Sequence, residues 1–356
     1  MTSIVLTCGF LASVGLAAVL APRVEAWARM RGVVDQPDSA GRKQHARPTP
    51  LLGGVAVYFA FTFVLGIIAW VTRAPFEGRI SPFELGAVFL GGLILIVGGY
   101  LDDRRRLAAS RQFVFPFLAV LIVAAAGVGV AKVTNPFGGV IHLAPWVTVA
   151  FTIAWLLGTT YTMKLLDGLD GLVSGITAIG ALLIATLSLT TRYWQPDVAV
   201  IALALAGACV GFLIFNFHPA RIFLGEGGST FCGFLLGILA IISGGKIATA
   251  LLVMGIPAVD VALVIGQRLF RRGRVTHGDR SHLHFRLLDL GFSHRGAVLF
   301  LYALAAGFGA TTLFLQAQQK LIALGILAVI AVVLSVAAVV RKTNTHAPES
   351  VGTYRS

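Results

Sequence analysis

The feature that most constrains this 356-residue chain is the gathering of its apolar residues into long, nearly uninterrupted blocks. Eleven blocks occupy positions 4–20, 51–71, 83–101, 113–131, 146–161, 172–189, 198–215, 231–242, 247–265, 298–315 and 321–340. Most are about 17–21 residues, the length of helix that crosses a hydrocarbon core of roughly 30 Å. Inside a bilayer every backbone N–H and C=O must be paired within the protein, so blocks of this length imply helices. The expected fold is an all-α polytopic membrane protein of about eleven transmembrane helices. It forms a single domain over residues 1–342, followed by a disordered tail over 343–356. Only 12% of residues are charged and 57% are hydrophobic, against about 25% and 45–50% in soluble domains. A cytosolic enzyme, a secreted disulfide scaffold and a disordered chain are excluded. The first block lacks a preceding basic region and a small-residue cleavage motif, so it is read as a retained span. The block at 231–242 is short, and Gly244-Gly245 suggests a tight turn into the next. Cys8, Cys209 and Cys232 lie in apolar stretches without CxxC spacing, and read as buried small hydrophobes with no disulfide or zinc site.

The formal charge of +13 is explained by topology. On one set of alternate connections lie Arg73, Arg79, Lys132, Arg192, Lys246 and Lys320. The other 22 of the 28 Lys and Arg fall on the opposite side, which the positive-inside bias places in the cytoplasm. The N-terminus is then outside and the C-terminus inside. Spread over six loops, these cations do not form the compact face that nucleic-acid binding needs, so no nucleic-acid partner is expected.

The carboxylates are more informative. Asp102 and Asp103 end the third block; adjacent carboxylates repel unless a cation or metal lies between them or one is protonated. Arg104, Arg105 and Arg106 follow directly, so a salt-bridged helix end is the plain alternative to a hard-cation site. Lys164-Leu-Leu-Asp167-Gly-Leu-Asp170-Gly-Leu ends the fifth block. If helical, its two carboxylates share a face; the alternative is a glycine-broken span end. Asn216-Phe-His218-Pro-Ala-Arg221 leads to Gly225-Glu226-Gly227-Gly228-Ser229, a glycine-rich run before a helix that reads as an anion nest with Ser229 as cap. The loop before the tenth block carries Arg268, Arg271, Arg272, Arg274, His277, Asp279, Arg280, His282, His284 and Arg286. It lacks a zinc pattern, and suits a diphosphate better.

Taken in order, Arg42-Lys43…His45…Pro48-Thr-Pro-Leu-Leu-Gly53-Gly54, Asp102-Asp103, Asp167-Gly-Leu-Asp170-Gly-Leu, Asn216-Phe-His-Pro-Ala…Gly225-Glu226-Gly-Gly-Ser229 and Asp279-Arg280-Ser-His282-Leu-His284 resemble the motifs of the polyprenyl-phosphate N-acetylhexosamine-1-phosphate transferases. The resemblance covers about residues 33–296. It implies transfer of a sugar-1-phosphate from a UDP-sugar to undecaprenyl phosphate or a related lipid, with release of UMP and with Mg²⁺ or Mn²⁺. It also implies a multi-pass protein of the bacterial cytoplasmic membrane with its active site facing the cytoplasm; a homodimeric state is left open. By position, Asp102, Asp103, Asp167 and Asp170 would be catalytic, and Asp102, Asp103 and Glu226 would hold the metal. Arg47, Lys164, Asn216, Arg268, Arg280, His282 and His284 would bind substrate.

The His-Leu-His-Phe-Arg form resembles the branch acting on UDP-N-acetylglucosamine and similar sugars, and differs from the three-His run of the muramyl-pentapeptide branch. Two positions depart from the family pattern. Glu226 stands where Asp is usual, and Tyr161 and Lys164 stand where Asn-x-x-Asn is frequent. The rival readings are the same chemistry on another UDP-HexNAc and, from another class, a multispan transporter. The latter would place its binding groups near mid-membrane.

Overall fold

A computed structural model of the chain describes residues 2–36, 48–78, 80–135, 138–191, 193–244, 247–270 and 282–345. Among the described residues twelve α-helices follow one another: α1 (Thr2–Met30), α2 (Gly53–Thr72), α3 (Pro82–Arg105), α4 (Ala109–Ala125), α5 (Pro145–Leu166), α6 (Leu172–Ser188), α7 (Pro196–Asn216), α8 (Gly225–Ile242), α9 (Ile247–Phe270), α10 (Leu283–Asp289), α11 (His294–Thr311) and α12 (Ala317–Thr345). Each apolar block falls on one of the eleven longer helices, and α10 is a seven-residue helix in the connection before α11. Among the described residues six helices, α1, α2, α3, α5, α7 and α8, are long and apolar enough to cross a membrane. The protein is a mostly helical, multi-pass membrane protein.

Two short antiparallel ribbons accompany the helices: β1 (Val34–Asp35) with β2 (Thr49–Pro50), and β3 (Lys132–Thr134) with β4 (Val140–His142). One expectation is corrected. Cys209 and Cys232 are buried, but Cys8 is exposed on α1, where a lipid-facing thiol needs no protein cover. α12 continues through Thr345, and residues 346–356 lie outside the described residues.

Local chemistry sets the helix ends. At the start of α3, Ser81 Oγ accepts the Glu84 N–H at 3.2 Å and the Glu84 carboxylate accepts the Ser81 N–H at 2.7 Å, with Pro82 preset for the first turn. At its far end Arg106 takes a left-handed conformation, φ 50°, and closes the helix by donating its N–H to Asp102 O.

The hub is α8, which packs on α2, α3, α5, α6 and α9. It can be surrounded because small residues let backbones meet. A Cβ on Gly99 of α3 would collide with the Gly227 backbone of α8, and one on Gly54 of α2 with the Gly228 backbone. The stretch before α2 completes the seat. Phe223 N–H donates to Pro50 O at 2.8 Å, Gly53 N–H to Phe223 O at 2.9 Å and Gly54 N–H to Leu224 O at 2.8 Å. Pro-Leu-Leu-Gly-Gly is thus a main-chain cradle for the start of α8.

Candidate active site

The ends of α3, α5 and α8, the 167–171 turn and the start of α11 enclose a cavity of about 340 Å³. Among its described lining residues five are carboxylates, Asp35, Asp103, Asp167, Asp170 and Glu226, while Lys164 is the one Lys or Arg. Side chains separated by more than a hundred residues therefore converge, as the sequence motifs require. An excess of buried negative charge of this kind calls for a cation.

On the α3–α5–α8 wall, Asp103 faces the start of α8 and accepts the Glu226 N–H at 3.3 and 3.4 Å to its two oxygens. The glycine-rich helix start does hold an anion, but a resident one. Nor does the run precede the helix. It forms the first turn of α8, which begins at Gly225, and Ser229 Oγ donates back to Gly225 O at 3.1 Å within the helix instead of capping it. Lys164 Nζ lies 2.6 Å from Glu226 Oε1 and donates to Gln112 Oε1 at 3.0 Å. Asp167 is ringed by protein yet open to the cavity. Its enclosure, and then the Glu226 carboxylate, push it up to about 7, against the lowering effect of the Ser229 hydroxyl.

Asp102 turns elsewhere. Neighbours on a helix point about 100° apart, so when Asp103 faces α8 its predecessor faces the turn into α4. There Asp102 Oδ1 accepts the Leu107 N–H at 2.8 Å and the Gln112 Nε2–H at 2.9 Å. It does not line the main cavity. Asp103, Asp167 and Glu226 face one space, while Asp102 lines a smaller neighbouring cavity together with Glu226.

The opposite wall is largely hydrogen-bonded, although among the described residues His294 Nδ1 is buried without a partner. Residues 167–171 form turns, with Gly171 at φ 80°, so Asp167 and Asp170 do not share a helical face. Asp170 Oδ2 accepts from His218 Nδ1 at 2.7 Å and from the Ala220 N–H at 3.0 Å, while its own N–H donates to His294 Nε2 at 2.9 Å. The two imidazoles stack with centroids 4.0 Å apart. Among the described residues, Asp170, His218 and His294 are the group whose ligand atoms lie within 4.8 Å of one another. The His218 proton points at the carboxylate and the His294 lone pair is taken by an N–H, so these contacts latch three segments together. Arg295 Nε donates to His218 O at 2.9 Å and tightens the latch.

Asn216, though it borders the cavity, has its amide engaged: Oδ1 accepts from Ser174 Oγ at 2.7 Å and Nδ2 donates to Ile222 O at 3.0 Å. It shapes the 217–224 turn instead of presenting a free donor to substrate. His282 Nδ1 donates to Asp260 at 2.8 Å, and Asp260 also accepts the Leu283 N–H at 2.9 Å. His284 is buried against Phe285 and next to Gly168. Burial, followed by the neighbouring His282 and His294, lowers it to about 3, so its ring is neutral. A neutral, enclosed imidazole brings no positive charge to a diphosphate.

Arg47 and Arg280 lie outside the described residues, as do Asp38, Arg42, Lys43, His45, His277 and Asp279, and so does the side chain of Arg268. Two contributors were missed. Asp260 sits inside an apolar block, and a carboxylate in hydrocarbon is a signal that was available. Gln112 is a neutral amide outside any motif and offers no such signal.

The donor set around the cavity is hard oxygen from Asp103, Asp167 and Glu226, which suits Mg²⁺ or Mn²⁺ better than a thiophilic metal. The glycosyl transferase family 4 model matches residues 85–244. The chain is 33% identical to a decaprenyl-phosphate N-acetylglucosaminephosphotransferase of Mycolicibacterium smegmatis, over 95% of this chain and 91% of that one. It is 29% identical to a probable undecaprenyl-phosphate N-acetylglucosaminyl 1-phosphate transferase of Bacillus subtilis, over 92% and 90% respectively. It is also 32% identical to a phospho-N-acetylmuramoyl-pentapeptide-transferase of Moorella thermoacetica, over 81% and 91%.

Proposed function

Since the chain belongs to the polyprenyl-phosphate N-acetylhexosamine-1-phosphate transferases of glycosyl transferase family 4, we propose that it transfers N-acetylglucosamine-1-phosphate from UDP-N-acetylglucosamine to a polyprenyl phosphate, releasing UMP. The observation that carries the reading is the convergence of Asp103, Lys164, Asp167 and Glu226 from α3, α5 and α8 on one cavity. An oxygen of the lipid phosphate attacks the β-phosphorus of the nucleotide sugar. The bond from that phosphorus to the bridging oxygen breaks, and the electron pair leaves with UMP.

The difficulty is electrostatic, because two phosphorylated reactants must approach in a space already lined by carboxylates. A divalent ion, when bound, supplies the positive charge that screens this repulsion and stabilises the leaving phosphate. Asp103, Asp167 and Glu226 would hold it. Lys164 donates an N–H to a phosphate oxygen of the nucleotide. Asp170, His218 and His294 keep the 167–171 and 217–224 turns in register. Asp102, through Gln112, keeps Lys164 in place.

In this reading the chain crosses the bacterial cytoplasmic membrane eleven times with its N-terminus outside. The cavity opens to the cytoplasm, where 22 of 28 cations fall and where a soluble nucleotide can meet a lipid headgroup. The test is incubation of purified protein with Mg²⁺, undecaprenyl phosphate and a panel of UDP-HexNAc sugars, with UMP assayed and the glycolipid identified by mass spectrometry. Release of UMP with a GlcNAc-diphosphate lipid is expected. Preference for another UDP-HexNAc would change the sugar, and absence of UMP release with every sugar would overturn the reading.

A further inference from the structure

Lys164 and Glu226 are the two charged departures from the family pattern noted in the sequence, and the structure puts them in contact, Nζ 2.6 Å from Oε1. They come from α5 and α8, 62 positions apart, so no local pattern requires the pairing. The side chains are 18% and 19% exposed, which separates the pair from solvated surface bridges of little consequence. The longer Glu side chain reaches a cation that stands where an amide is usual.

Lys164 is also held from behind. Gln112 Oε1 accepts its second N–H at 3.0 Å, and the amide cannot flip because Nε2 donates both to Asp102 Oδ1 at 2.9 Å and to Leu107 O at 3.0 Å. An ammonium has three donors, so one remains to face the cavity that both residues line.

We propose that Lys164 is the resident counter-ion of Glu226, competing with the divalent cation until a nucleotide diphosphate draws the ammonium away, so that metal and nucleotide bind with positive coupling. Glu226 cannot offer full affinity to a metal while an ammonium sits on its oxygen. A diphosphate gives that ammonium another partner, and the freed carboxylate then takes the ion. By linkage the ion strengthens nucleotide binding by the same factor. Lys164 is therefore a specificity-determining residue for diphosphate-bearing donors, with Gln112 and Asp102 as its positioning residues.

The inference rests on the proposed metal role of Glu226, and the experiment separates the two. Free Mn²⁺ is followed by electron paramagnetic resonance as it binds full-length wild type, Lys164→Gln, Gln112→Ala and Glu226→Gln, each with and without UDP and each checked for a cooperative thermal melt. Lys164→Gln is expected to bind Mn²⁺ about tenfold more tightly than wild type without UDP, and to gain less when UDP is added. Gln112→Ala is expected to shift the same way by a smaller factor, which keeps the test intact if Lys164→Gln does not fold. Mn²⁺ affinity in these variants equal to or below that of wild type, or an equal gain from UDP in all of them, overturns the coupling. Wild-type Mn²⁺ binding by Glu226→Gln overturns the metal role itself.

Discussion

Asp170 and Asp103 border the same cavity, yet one carboxylate is spoken for and the other is not. Asp170 accepts an imidazole N–H and a backbone N–H at 2.7 and 3.0 Å, within a latch that joins the 167–171 turn, the 217–224 turn and α11. Asp103 accepts one long, shared N–H at 3.3–3.4 Å and looks across at Glu226 and Asp167. A hydrogen bond to a charged group contributes about 1.5–3 kcal/mol, so the histidine wall is a stabilising frame. The carboxylate wall gathers three like charges around a single ammonium, that of Lys164, which meets them only in part. Within one site, the charge already met by protein builds the frame, and the charge left over is what the proposed reaction draws on.

The contrast can be broken most severely on the carboxylate wall. Asp103→Asn or Glu226→Ala should lower UMP release on the order of 10³-fold, while the detergent-solubilised protein keeps its melting transition. Near-wild-type turnover in both variants would mean that this wall is not where the reaction happens.

On the histidine wall the balance should reverse. Asp170→Asn loses the ionic character of its bond to His218, and is expected to cost about 2 kcal/mol of stability, read as a lower melting temperature. Its turnover should suffer far less than that of Asp103→Asn. If Asp170→Asn melted like wild type but was inactive, the two walls would have to exchange roles.

An effect of similar size, but dependent on pH, sharpens the same division. His284 is held neutral, lowered from its usual value to about 3, so between those values the unfolded chain binds a proton that the folded chain does not. Stability is then fully present above pH ~6.5 and falls as the pH drops below it, by about 2 kcal/mol at pH 5 from this one group. His284→Gln should show a weaker loss of melting temperature between pH 7 and pH 5 than wild type. Equal slopes would place the acid sensitivity elsewhere.

The helices were legible because hydrocarbon imposes one rule on every residue it touches, and eleven apolar blocks stand out whatever the packing. Convergence of the acids was legible as well, since carboxylates at the ends of apolar helices require a common reason. What could not be read was direction. Asp102 and Asp103 are chemically identical neighbours, and only the rotation of α3 against α8 separates them. The start of α8 was hidden because Gly225-Glu226-Gly227-Gly228-Ser229 has the composition of a turn, and it becomes helical through backbone contact with α2 and α3. His282 and His284 looked like ligands for phosphate because their partners, Asp260 and the pocket beside Gly168, lie on distant segments.

The meeting of Gly99 with Gly227 and of Gly54 with Gly228 works like a caliper closed to zero. With no side chain between the jaws there is no spacer to trim or lengthen, and the gap between the helix ends cannot be adjusted by ordinary substitution. Variation in such an enzyme has to come from the reach of the groups mounted on the jaws. A carboxylate one methylene longer, facing a cation on the neighbouring helix, is the kind of adjustment that a fixed gap permits.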